Sequence, residues 1–168
     1  MADDRAALAE RRDTLRTTYQ RGRADRPATT ARGVHHVALI CRDVEETIRF
    51  YQDLLGWPLA EVMENRDYPG STHFFFDIGN DNLLAFFDFP GLGLGDVVEA
   101  IGGLQHLAIS VTPEAFEAIG KRLDDASVGY VGPERGVVDS MYFRDPNGVQ
   151  VEVTRDPLCE MGGVALLD

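Results

Sequence analysis

Long apolar runs are missing from the 168 residues. No stretch of about 18 consecutive apolar residues occurs, so no membrane span is expected. The N-terminus, Met1-Ala2-Asp3-Asp4-Arg5, has no apolar core of the kind a secretory signal carries. Cysteine is scarce: Cys41 and Cys159 form neither a metal-binding nor a redox spacing. Two such thiols and no export signal fit a reducing cytoplasm. Basic charge is short as well. Sixteen Lys and Arg stand against 28 Asp and Glu, a formal net of −12. That argues against nucleic acid as a partner, because a phosphate backbone requires a basic surface. What is left is 44% hydrophobic, enough for one well-buried domain or two small fused modules.

What is present is a repeat. Gly33-Val34-His35-His36-Val37-Ala38-Leu39-Ile40 aligns without a gap with Gly103-Leu104-Gln105-His106-Leu107-Ala108-Ile109-Ser110, placing His36 on His106 and Ala38 on Ala108. Each copy continues with an N-cap, an amphipathic helix and short strands. A repeat of this kind implies a paired architecture, with one histidine from each copy available to a shared site. Charge is uneven across it. Residues 1–30 hold seven Arg against five acidic residues, a net of +2, and the remainder carries −14. The arm is either a solvated helix or a segment that docks on the acidic body of its own or a neighbouring subunit.

Residues 3–20 are rich in good helix formers, with a thin apolar stripe of Leu8, Leu15 and Tyr19. Residues 21–32 read as a linker. Val34–Ile40 reads as a strand with Val34, His36, Ala38 and Ile40 on one face and His35 toward the helix. Asp43 and Glu46 form a capping box for a helix whose buried face is Ile48, Tyr51, Leu54 and Leu55, and Gly56 ends it. Strands follow at 57–63, 72–78 and 83–89, the last two joined by the turn Gly79-Asn80-Asp81-Asn82. The Gly91-Leu-Gly-Leu-Gly95 stretch lacks the Lys-Ser/Thr of a phosphate loop and is a connector. In the second copy Thr112 caps a helix with Pro113 in its first turn, running to about Ala126. A strand at 128–131 and a hairpin of 140–144 with 149–154 around Asp145-Pro146-Asn147-Gly148 follow. Residues 155–168 show little periodicity. The organisation expected is an arm and linker at 1–32, a first βαβββ module at 33–90, a connector at 91–102, a second module at 103–155 and a tail at 156–168. The fold class is α+β: two tandem modules making a curved mixed sheet around a cleft, with an extra N-terminal helix.

This pattern resembles the vicinal oxygen chelate superfamily of glyoxalases, type I extradiol dioxygenases, fosfomycin-resistance transferases, methylmalonyl-CoA epimerases and bleomycin-binding proteins. The likeness spans residues 34–154. It rests on His36-Val-Ala-Leu with Asp43, Phe50-Tyr51-Gln-Asp-Leu-Leu-Gly56, His106-Leu-Ala-Ile, and Tyr142-Phe-Arg-Asp-Pro-Asn-Gly-Val-Gln-Val-Glu152. In metal-binding members the ligands come from the first and last strands of each module. The resemblance therefore implies a metal held by His36, His106 and Glu152. The fourth position falls at Ala85 or Phe86, neither of which can bind a metal. Two imidazoles and one carboxylate suit Fe(II) and O₂, and would also hold Mn(II), Co(II), Ni(II) or Zn(II).

Two further residues are candidates for catalysis. Tyr142 precedes Asp-Pro by two residues, as an active-site tyrosine does in extradiol dioxygenases; period two across the hairpin leaves its direction open. His73 precedes Phe74-Phe75-Phe76, an aromatic run that is a pocket wall or core, and is a possible acid or base. Asp145 and Asn147 read as turn formers, with Arg144 available to pair with Asp145. Asp88 reaches the site only if Phe86 takes the ligand position. Type I ring-cleaving enzymes carry a further histidine a few residues before the tyrosine, where this chain has Glu134-Arg135-Gly136-Val137-Val138.

The implied function is a divalent-metal enzyme on a small oxygenated substrate, dioxygenase-like. The alternatives are a glyoxalase, lyase, epimerase or isomerase of the same superfamily, and a metal-free drug-binding protein whose Phe74, Phe75, Phe76, Phe86, Phe87 and Phe89 wall a flat ligand. A homodimer is expected, because the superfamily often pairs chains.

Overall fold

Local chemistry fixes the ends of the helices. In the computed structural model, which describes residues 2–133 and 139–167, α1 covers Ala2–Tyr19 and a 3₁₀ turn follows at Arg23–Asp25. Leu8, Leu15 and Tyr19 of α1 are exposed. This N-terminal segment belongs to one compact unit and Gly33–Leu166 forms another.

Within that unit the first module runs β1 (His36–Ile40), α2 (Val44–Ile48), β2 (Leu59–Glu64), β3 (Thr72–Asp77) and β4 (Leu83–Phe87). Asp43 caps α2, its side chain accepting from the Glu46 amide at 2.8 Å. Arg49–Leu55 then continues as a π-helix, ended by Gly56 at φ 83°. In the wider π winding, Phe50 and Tyr51 stand five and four residues from Leu55, and all three turn inward. The second module runs β5 (Leu107–Ser110), α3 (Pro113–Asp125), β6 (Tyr130–Val131), β7 (Ser140–Arg144) and β8 (Gln150–Thr154). Thr112 caps α3 by accepting from the Ala115 amide.

The class is α+β, and the curved sheet comes as two four-stranded mixed sheets, ordered β1-β4-β3-β2 and β5-β8-β7-β6. β1 pairs parallel to β4 and β5 parallel to β8, which requires the intervening helix to cross over. Trp57 lies ahead of β2 and is buried in the core instead of opening the strand. The tail is not featureless: Glu160–Met161 (β9) and Val164–Ala165 (β10) form a small hairpin. No helix among the described residues is long and apolar enough to cross a membrane.

Both modules feed one core. Phe74, Phe76, Leu84 and Phe86 of the first and Ile119, Leu123, Met141, Val151 and Val153 of the second belong to a single buried cluster. Polar groups join the halves at the same level. The Tyr51 hydroxyl donates to Asp145 Oδ2 at 3.0 Å. Asn147 Nδ2 donates to Thr47 Oγ1 at 3.1 Å, and its Oδ1 accepts from the Arg42 amide at 2.8 Å. Arg122 donates to the carbonyls of Leu54 and Leu55. The Asp-Pro-Asn-Gly turn therefore locks the modules together, a role beyond turn formation. Arg144 is not the partner of Asp145; its Nη1 donates to the Gly148 carbonyl at 2.7 Å.

Candidate metal centre

Each sheet has one face on the shared core and one turned away from it. On β8, Val151 and Val153 are fully buried in the core, so period two sends Glu152 to the opposite face. Parallel register sets Glu152 against Ala108, and antiparallel register sets it against Tyr142. The methyl side chain of Ala108 leaves room beside the carboxylate. His106, just ahead of β5, brings Nε2 to 3.0 Å from Glu152 Oε2. The Tyr142 hydroxyl donates to Glu152 Oε1 at 2.7 Å. The direction left open by the sequence is thus resolved: Tyr142 lies on the outer face with Glu152.

Gln105 adds a group that the sequence reading missed. Its Oε1 is hydrogen-bonded to His106 Nδ1. An amide oxygen only accepts, so Nδ1 carries the proton. Nε2 then faces a carboxylate that is only 8% exposed. That contact is favourable only with a cation, either a proton on Nε2 or a metal ion between the groups. An imidazole nitrogen and a carboxylate are donor types that a divalent ion takes, and within one chain they supply two of its ligands.

The first module repeats the geometry with different chemistry. Its register sets Ala85 against Ala38 and against Phe75. Ala85 therefore occupies the place of Glu152, and Phe75 the place of Tyr142. Phe86 lies fully buried in the core, and Asp88 accepts from the Thr72 amide instead of facing the site. His36 shares the outer face with Phe75, the ring centroids 6.3 Å apart. His73 lies on that face too, stacked at 3.7 Å on Phe87, and its buried Nε2 has no partner among the described residues. Burial, with the nearby His36, lowers the His73 pKa, favouring the neutral ring.

His35 does not face the helix. It precedes β1, is exposed, and hydrogen-bonds His36 through the two Nδ1 atoms at 2.8 Å. The aromatic run is divided: Phe74, Phe76 and Phe86 are core, leaving Phe75 and Phe87 on the outer face. The segment 134–138, in which the resemblance to type I ring-cleaving enzymes leads one to look for an added histidine, lies outside the described residues. The structure thus brings His106, Glu152 and Tyr142 together in one module and His36 with His73 in the other. Among the described residues of one chain, no group of three His, Cys, Asp or Glu is close enough to hold a metal ion.

Two βαβββ modules, each with a histidine at the start of its first strand on the outer face, define the class of paired-module proteins. The family model for the Glyoxalase/Bleomycin resistance protein/Dioxygenase superfamily matches residues 33–153, and the chain belongs to that superfamily. The protein named "Putative ring-cleaving dioxygenase MhqE" of Bacillus subtilis is 34% identical over 57% of this chain. The chain spans 34% of that relative's length. "Glyoxylase I 4" of Arabidopsis thaliana is 30% identical, the match covering 71% of this chain and 68% of the relative. A fosfomycin resistance protein, FosX, from Listeria monocytogenes shares the fold with a TM-score of 0.58 at 19% identity, over 77% of this chain and 96% of that one. That structure contains Mn(II) and a dihydroxypropylphosphonic acid, so divalent metals occur within the superfamily.

Proposed function

We propose that this chain is a divalent-metal enzyme, a dioxygenase acting on a small oxygenated aromatic substrate, with each site shared between two copies. His106 and Glu152 of one copy and His36 of the other hold the metal, with Fe(II) the favoured ion. The observation that carries the reading is the His106–Glu152 pair, 3.0 Å apart on an outer sheet face with Tyr142 beside it. His36 lies at the equivalent point of a separate sheet, which is the arrangement a homodimer would complete. The similarity to a protein named as a ring-cleaving dioxygenase supports the reaction type.

A bound divalent ion supplies Lewis-acid activation of two neighbouring substrate oxygens. The chain's own groups do the rest. Gln105 fixes the His106 tautomer, so that Nε2 is the donor atom. Ala85, Ala38 and Ala108 leave the remaining space to substrate instead of to a fourth carboxylate. The Tyr142 hydroxyl, held at Glu152 Oε1, orients a substrate oxygen and delivers a proton to it. His73, neutral and with Nε2 unpartnered among the described residues, accepts a substrate hydroxyl proton from the opposite side. Phe75 and Phe87 offer ring faces to a flat substrate.

The test is metal content after anaerobic purification, on wild type, His36→Ala, Glu152→Ala and a co-expressed mixture of the two variants. Expected are about one iron per wild-type chain, none in either variant, and recovery of part of the metal in the mixture, where one site per mixed dimer is intact. Recovery without oxygen uptake on catechols or hydroquinones would keep the shared centre and turn the reaction toward the lyase or isomerase alternatives. Full metal in either variant removes the ligand set, and no metal in wild type leaves the binding-protein alternative.

A further inference from the structure

A second concave site lies beyond the C-terminal end of β1, under the connector between the modules. The connector turns at Gly91 and Gly93, whose φ values of 86° and 58° favour glycine. It borders an open cavity of about 730 Å³, within the range of small-molecule sites. Ala38, Ile40, Cys41, Phe89, Leu94 and Val97 give it apolar walls. Two charged residues line it, Arg42 and Asp88. Asp88 is engaged internally, its carboxylate accepting from the Thr72 amide.

Arg42 is placed differently. Its backbone is pinned by Asn147 Oδ1, which accepts from the amide at 2.8 Å. Its guanidinium ends on Asp96 of the connector at 2.6 Å, with both side chains mostly exposed, 64% and 82%. Exposed ion pairs are weak, and a planar guanidinium accepts any carboxylate of suitable approach. The connector keeps a second anchor when Asp96 is released. Val97 packs on the Asp-Pro-Asn-Gly turn so closely that a Cβ on Gly148 would stand 3.1 Å from it.

We propose that this cavity binds a small apolar carboxylate, its ring or chain on the Ala38–Ile40 wall and its anionic end replacing Asp96 on Arg42. Asp96 then acts as a built-in stand-in that keeps Arg42 oriented when the cavity is empty. The proposal goes beyond the metal reading and does not rest on it: no metal ligand contributes to the cavity, although Ala38 borders both it and the metal face.

The experiment is calorimetric titration of full-length, EDTA-treated protein with 2-naphthoate and with its neutral isostere 2-naphthamide. Wild type should bind the carboxylate about tenfold more tightly, the scale of one charge-assisted contact. Arg42→Gln should bring the carboxylate to the affinity of the amide. Asp96→Asn should tighten the carboxylate severalfold and leave the amide unchanged, a readout that does not depend on the folding of the Arg42 variant. Equal affinities in wild type, no carboxylate binding up to millimolar concentration, a preference that survives Arg42→Gln, or an unchanged carboxylate affinity in Asp96→Asn would each overturn the proposal. Since the metal is chelated throughout, the outcome is separable from that of the metal assay.

Discussion

The two modules are copies in topology and unlike in chemistry. In the first, the place across from Ala38 holds Ala85, flanked by Phe75. In the second, the place across from Ala108 holds Glu152, flanked by Tyr142. The histidine, His36 or His106, and the alanine two residues on, Ala38 or Ala108, are kept in both. One half has become an aromatic wall carrying the imidazoles of His36 and His73, and the other a polar cluster with an imidazole, a carboxylate and a phenol. The backbone repeat supplies equivalent positions, and the side chains at those positions divide the labour.

The comparison can be broken at four places. Glu152→Ala makes the second half resemble the first, and the bound metal should be lost altogether while the thermal midpoint stays near that of apo wild type. Elemental analysis with circular dichroism checks both, and metal retention would deny the asymmetry a function. Tyr142→Phe, the counterpart of Phe75, should keep the metal and lower turnover about a hundredfold, the usual scale for losing a positioned proton donor. Metal loss in that variant would make Tyr142 a support for Glu152 and nothing more.

Asp145→Ala should destabilise the fold by about 3 kcal/mol, since Tyr51 and Asn147 would be left with unpaired buried groups. Asp81→Asn, in the matching turn of the first half, should stay within about 0.5 kcal/mol. Urea denaturation of the two variants compares the turns directly. The smallest effect concerns Cys41, whose thiol is pushed up to about 11, chiefly by burial and then by Asp88. The folded state holds this proton where the unfolded state has lost it. Its contribution is therefore complete below pH 9 and disappears as the pH rises through 11. Stability measured from pH 8 to 11 should fall less steeply in Cys41→Ala than in wild type.

Local rules made much of this legible in the sequence. The His36/His106 repeat, the Asp43 and Thr112 caps, Gly56 and the Asp-Pro-Asn-Gly turn all act over a few residues, and each stands where short-range chemistry puts it. What stayed hidden depends on partners distant in sequence. Tyr142 was ambiguous because its direction is set by pairing with Glu152, not by its own neighbours. Asp145 reads as a turn former because Tyr51 lies 94 residues away. The π winding of Arg49–Leu55 carries no marker, and it changes which side Phe50 takes. The choice between Ala85 and Phe86 needed the β1–β4 register. Phe74, Phe76 and Phe86 looked like a ligand wall because alternation alone does not say which face is the core.

The inter-module lock of Tyr51, Asp145, Asn147 and Arg122 bears on how the polypeptide can be cut and rejoined. The connector at Gly91–Gly95 contributes little to that lock, and its glycines are exposed. A protease nick at Gly93 should leave two fragments that stay associated and melt as one body. The same bond is thus the natural place to open the chain for a circular permutant or a split reporter, whereas either fragment made alone would expose the buried half of the lock and aggregate.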